Sequence, residues 1–226
     1  MIFTFIGLLT LSLAGFQICR LFASALDAEL NLWLTAGAGF FIAAALLIQW
    51  LSYAPIPLST ASWSAVLVCT LVSLPLLQTA IKALLQGNRL NAYLPYLLLI
   101  TLISTHFLFV LASNLSRDIF PWDAFTTWMY RAKVWVLNDE VLNFQGVNQW
   151  LQSGALGYAL PASHYPSSVS AVAAFSSALS SGWNDQLASI PWFFAMLAIG
   201  SMMFGLCRQS GLAVLPSLAG LYLLTS

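Results

Sequence analysis

Asp123, Thr127 and Arg131 follow one another at intervals of four residues, with Lys133 two residues further on. On a helix this spacing sets a carboxylate, a hydroxyl and a guanidinium along one stripe. Close to a membrane surface such a carboxylate can take the proton of an acceptor hydroxyl, while the neighbouring cations hold a phosphate. The pairing suits transfer of a group from a phospholipid-linked donor to an alcohol. A structural ion pair from Asp123 to a cation would leave the same spacing. A second group, Ser163-His164-Tyr165-Pro166, stands directly before an apolar run. Its proline marks a helix start and leaves His164 and Tyr165 at the water boundary. His164 then reads either as a solvated interfacial side chain or as a hydrogen-bonding group facing the same cavity as Asp123.

The element expected to carry the first group is a helix over Asp123 to Leu137. Pro121-Trp122 precedes it, and an acid in the first turn suits the helix dipole. Phe125, Trp128, Met129, Ala132, Trp135 and Val136 recur at helical spacing as an apolar face, opposite Asp123, Thr127, Tyr130, Arg131 and Lys133. An amphipathic helix of this kind is expected to lie in the membrane interface, its Trp face in lipid and its polar face toward water or protein.

The rest of the chain is the scaffold. Of its 226 residues 60% are hydrophobic and only 6% charged, and the mean hydropathy is +0.87. A soluble domain carries about 25% charged residues because its surface faces water. Seven acids and seven bases cannot coat such a surface, whereas a lipid-facing exterior has no need of them. The net charge is zero and no basic run of nucleic-acid-binding length exists. Cys19, Cys69 and Cys207 lie singly in apolar stretches and read as small buried hydrophobes.

The expected fold is all-α: a polytopic transmembrane protein of about six or seven spans, forming a single membrane domain over residues 1–226. Residues 1–113 hold four spans, from Met1 to Cys19, Leu32 to Trp50, Ser62 to Ala83 with Pro75 as a kink, and Tyr93 to Ser113. Arg20 follows the first apolar run instead of preceding it, which argues for a span over a secretory signal. Residues 114–166 form one long polar loop containing the interfacial helix 123–137 and seven of the fourteen formal charges. Residues 167–226 supply further spans: a short one from Ser167 to Ser180, one from Leu187 to Leu206, and an apolar run from Leu212. That run is still open at Ser226, which reads as a truncated product or a fragment. Arg20, Lys82 and Arg89 favour one side and Arg117, Arg131, Lys133 and Arg208 the other. Discounting charges on a loop that can serve a ligand puts the Lys82 and Arg89 loop in the cytoplasm and the long loop outside.

Four lesser candidates remain. Asp118, five residues before Asp123, could share a divalent metal with it, although two acids are a thin ligand set and a solvated loop acid competes. His106 is intramembrane, hence a functional suspect, but a neutral imidazole bonded to a neighbouring helix is the plainer reading. Asp139-Glu140 reads as a solvated turn after the helix. Asp185, in Gly182-Trp183-Asn184-Asp185, belongs to a short loop with an N-cap.

Trp122-Asp123-Ala124, then Trp128 and Arg131-Ala132-Lys133, then His164-Tyr165-Pro166 before a span resembles the first long external loop of bacterial C-type (GT-C) membrane glycosyltransferases. The relatives meant are the protein mannosyltransferases and lipid A sugar transferases. In this chain His164 and Tyr165 are adjacent, without the intervening residues usual in that pattern. The resemblance covers Pro121 to Pro166, and it implies an enzyme of the bacterial inner membrane with the polar loop external. It would move a sugar from a polyprenyl-phosphate donor to a lipid, glycan or protein hydroxyl, with no certain cofactor. It further implies that Asp123 is the catalytic base, that Arg131 and Lys133 contact the donor phosphate or shape the loop, and that His164 and Tyr165 line the cavity. Two other readings fit the composition: a transporter or flippase, which predicts discontinuous helices and charges at mid-membrane, and a non-catalytic fragment.

Overall fold

Long apolar runs satisfy their own backbone only as helices when water is absent, and helices dominate this chain. A computed structural model describes residues 1–22, 28–85, 96–116, 124–152, 154, 156–161, 163–180 and 182–225. In chain order the helices are α1 (Ile2–Phe22), α2 (Ala28–Tyr53), α3 (Leu58–Leu85), α4 (Leu97–Ser116), α5 (Met129–Asn138), α6 (Val147–Gln152), α7 (Ser168–Ala178), α8 (Asp185–Gln209) and α9 (Val214–Thr225). A π-helical turn, Ala124–Trp128, leads into α5. Two short strands, β1 (Phe144–Gln145) and β2 (Tyr158–Ala159), pair in parallel, Phe144 opposite Tyr158.

Five helices are long and apolar enough to cross a membrane: Ile2–Leu21, Leu32–Tyr53, Leu58–Leu76, Leu97–Ser116 and Asp185–Gln209. Their outer surfaces are apolar too, with Leu98 76% and Phe109 73% exposed on α4. Such surfaces are tolerable only against lipid or another protein. The expected six or seven spans are therefore five helices of spanning length among the described residues. The difference lies in α7 and α9, which have 11 and 12 residues. At 1.5 Å per residue neither approaches the ~30 Å of a hydrocarbon core.

The described residues group into two compact units. The first comprises Met1–Leu8, Ala44–Val66 and Asn114–Pro191. At its centre is α7, whose residues from Ser170 to Ala178 are all buried. Its small side chains let other segments approach closely: the Thr4 hydroxyl donates to the Ser176 carbonyl (3.0 Å) and the Ser170 hydroxyl to the Trp128 carbonyl (2.8 Å). The second unit comprises Leu9–Ala43, Leu67–Ser113 and Trp192–Ser226. There α1 and α2 cross at Gly15 and Gly39, where a Cβ on either glycine would run into the other helix's backbone. Trp33 of α2 meets Phe204 of α8 edge to face at 4.8 Å, and the Ser201 hydroxyl donates to the Trp33 carbonyl at 2.8 Å. His106 of α4 lies with its ring 6.2 Å from that of Tyr222.

Candidate functional site

Arg131, from the first polar group of the sequence, meets the second group in the first unit. Arg131 is only 4% exposed, and its Nη1 and Nη2 donate to the carbonyls of Tyr165 (3.0 Å) and Ser163 (3.1 Å). A guanidinium presents parallel donors in a rigid fork, so one side chain can fix two carbonyls of an irregular segment. Trp128, three residues before Arg131, stacks on the Tyr165 ring (6.2 Å between centroids, 25° between planes). His164 stands edge-on to Tyr165 at 4.8 Å. Segments more than thirty residues apart in the chain thus form one surface, with His164 and Tyr165 exposed on it and Arg131 beneath.

The underside of Arg131 is aromatic. Its guanidinium carbon lies 5.6 Å from the centre of the Phe144 ring, within the range at which a cation is attracted to a ring face. Phe144 in turn touches Tyr130 and Tyr158, each at 5.9 Å. Nε of Arg131 is buried without a hydrogen-bond partner. Burial disfavours the charged form and draws the Arg131 pKa below its ordinary value. Its two hydrogen bonds to the Ser163 and Tyr165 carbonyls offset part of that cost.

The apolar face expected in lipid is covered instead by protein. Met129, Ala132 and Trp135 are buried, as are Thr127 and Arg131 from the face expected to be polar. Helix α5 packs chiefly on α7, and the Trp135 indole donates to the Leu142 carbonyl at 2.7 Å. The physical reason is that α7 supplies a groove of Ser and Ala in which large side chains fit, and burial there removes as much apolar surface from water as a bilayer would.

Lys133 does not join Arg131, His164 and Tyr165. It lines a separate cavity of about 240 Å³, together with Met129, Tyr130, Val134, Leu137, Trp183 and Asp185. Asp123, the expected base, and Asp118, its expected partner at a metal, lie outside the described residues. Among the described residues no group of three or more His, Cys, Asp or Glu converges as a metal site.

Two side chains do more than the sequence suggested. Asp139 turns the chain after α5 at φ 53° and, from there, caps another helix. Its carboxylate accepts from the Ser59 amide (2.6 Å) and the Ser59 hydroxyl (2.8 Å), and its carbonyl accepts from the Leu58 amide (2.8 Å). The orphan donors that open α3 are thereby satisfied by a residue 80 positions away. Asp139 is thus no solvated turn acid, while Glu140 remains exposed. The N-cap of α8 is Asn184, whose Oδ1 accepts from the Leu187 amide at 2.8 Å. That leaves Asp185 free to accept from the Trp183 indole.

Comparison of the chain with protein-family models, with curated proteins and with solved structures gave no match.

Proposed function

We propose that this chain is a membrane glycosyltransferase of the C type, moving a sugar from a polyprenyl-phosphate donor to a lipid, glycan or protein hydroxyl. The observation that carries the reading is the convergence of its two polar motifs. Arg131 binds the backbone of Ser163 and Tyr165, and Trp128 stacks on Tyr165, so the helix that follows Asp123 and the His164-Tyr165-Pro166 segment share one surface. Asp123 is the proposed base toward the acceptor hydroxyl. His164 and Tyr165 are the proposed cavity residues. Arg131 has both terminal nitrogens bound to carbonyls, which suits loop architecture better than a phosphate.

The proposed orientation has the polar segment external. With α1, α2, α3, α4 and α8 as the crossings, Arg20, Lys82, Arg89 and Arg208 all fall on one side by strict alternation. Clustering of Lys and Arg in short loops marks the cytoplasmic face. Counting α7 as a further crossing would move Arg208 to the other side and blur the signal.

The test is transfer of a labelled sugar from a polyprenyl-phosphate donor by membranes containing the wild-type chain or Asp123→Ala. The variant is expected to insert normally and to lose transfer by at least about a hundredfold, the lower range for removing a general base. Unchanged transfer would sink the assignment of Asp123.

A further inference from the structure

The cavity onto which Lys133 opens sits where α5 meets the start of α8. Asp185 is the first residue of α8, a helix of spanning length, so the cavity mouth lies where a span meets water. Its lining is mostly apolar, from Met129, Val134 and Leu137, with Leu137 itself 66% exposed. Against that lining stand one cation, Lys133, and one carboxylate, Asp185. Among the described residues neither closes an ion pair. Trp183 borders the same space and fixes the carboxylate through its indole N–H. Two residues of opposite charge that border one apolar cavity without pairing to each other suit a ligand carrying both charges and an apolar part.

We propose that this cavity binds the phosphoethanolamine headgroup of a zwitterionic phospholipid. The phosphate meets the Lys133 ammonium, and the lipid's primary ammonium donates to the Asp185 carboxylate beside the Trp183 ring, a pairing that combines charge-assisted hydrogen bonding with attraction to an aromatic face. Met129, Val134 and Leu137 take the glycerol and the first acyl methylenes. At about 240 Å³ the space falls below the ~300–1,000 Å³ of pockets that enclose a whole drug-sized ligand, which suits a headgroup with its tails outside. Phosphatidylglycerol would satisfy Lys133 through the same phosphodiester but would offer Asp185 only neutral hydroxyls, with no charge to meet the carboxylate. A choline headgroup has no N–H to give the carboxylate. The assignment shares only Lys133 with the sugar-transfer reading and uses neither Asp123 nor the His164–Tyr165 surface.

The experiment is native mass spectrometry of the full chain released from mixed micelles of phosphatidylethanolamine, phosphatidylglycerol and phosphatidylcholine, repeated with Lys133→Gln and with Asp185→Asn. Wild type is expected to retain phosphatidylethanolamine in preference, and each variant to lose about tenfold of that preference, the order of one charge-assisted hydrogen bond. Equal retention of the three lipids, a preference for phosphatidylglycerol, or a preference unaltered in Lys133→Gln overturns the proposal. Lys133 is exposed, so its substitution leaves folding intact and keeps the test decisive if Asp185→Asn disturbs the start of α8. Soluble O-phosphoethanolamine is added in a parallel arm. Weak competition supports a lipid as the source, and binding as tight as the lipid's overturns it.

Discussion

Replacing Arg131 by Ala tests the central contact of the polar segment. The substitution removes two charge-assisted hydrogen bonds, to the Tyr165 and Ser163 carbonyls, from a side chain 4% exposed. Each such bond contributes about 1.5–3 kcal/mol net, so the pair amounts to ~3–6 kcal/mol. Against this stands the relief of no longer burying a guanidinium whose Nε is unpartnered, a desolvation cost of several kcal/mol before pairing. The expected net loss is about 2–4 kcal/mol, or roughly 5–15 °C in the apparent melting midpoint for a chain of this size. The midpoint is read in detergent by fluorescence-detected size exclusion. Hydrogen exchange should meanwhile accelerate over residues 158–166 and leave the span helices unchanged. Arg131→Lys should fall between the two, because an ammonium lacks the fork that reaches both carbonyls. A midpoint equal to wild type in Arg131→Ala, with unchanged exchange over 158–166, would refute the reasoning.

Asp139→Ala should lower the same midpoint by the equivalent of ~1–2 kcal/mol, the range for loss of an N-cap, since the Ser59 amide and hydroxyl lose their acceptor. Asp139→Asn should cost less, because Asn keeps a side-chain acceptor and tolerates the left-handed φ of 53°. Gly39→Val should prevent the close crossing of α1 and α2, as its Cβ would meet the backbone of Gly15 and Phe16. Overpacking of side chains costs about 1–3 kcal/mol, and backbone yields less readily. Expression as a monodisperse species should therefore fall sharply, and a wild-type elution profile would contradict the crossing.

The spans were legible because lipid makes a simple demand: about twenty apolar residues in a row. All five came from length and hydropathy with ends a few residues off, except that the third was expected to run to Ala83 and its spanning stretch ends at Leu76. The surplus came from α7 and α9. Ser167 to Ser180 is apolar enough to suggest a crossing, and nothing in its composition separates eleven residues buried in protein from a span buried in lipid. The helical stretch from Ala124 to Asn138 was also legible as a periodic pattern. The medium its faces meet was not, because burial against α7 and burial in a bilayer select the same residue types. The meeting of Arg131 with residues 163–165 had a sequence trace in the two motifs. Asp139 had none: capping a helix from 80 residues away leaves no local pattern.

The burial of α5 also fixes what its stripe can do. Thr127 and Arg131 share the stripe that Asp123 was expected to open, and both are buried. A buried guanidinium bound to the Tyr165 and Ser163 carbonyls is poorly placed to receive a diffusing phosphate, whereas it is well placed to hold that segment rigid. Rigidity has a chemical use here. A base and an acceptor must be held to within a fraction of an ångström, and side chains on loops achieve this only when a second layer of hydrogen bonds supports them. His164 and Tyr165, exposed on a segment whose carbonyls are pinned by Arg131, meet that condition. The consequence separates the two residues kinetically. His164→Ala should reduce transfer with the melting midpoint unchanged, because its ring is exposed and its backbone remains pinned. Arg131→Lys should reduce transfer only in proportion to the order it removes from residues 163–165, so that transfer and exchange protection vary together across Arg131 substitutions. Transfer that collapsed in Arg131→Lys while exchange over 163–165 stayed at wild-type values would mean that Arg131 touches the substrate itself, and the division between a supporting arginine and an exposed His–Tyr surface would have to be abandoned.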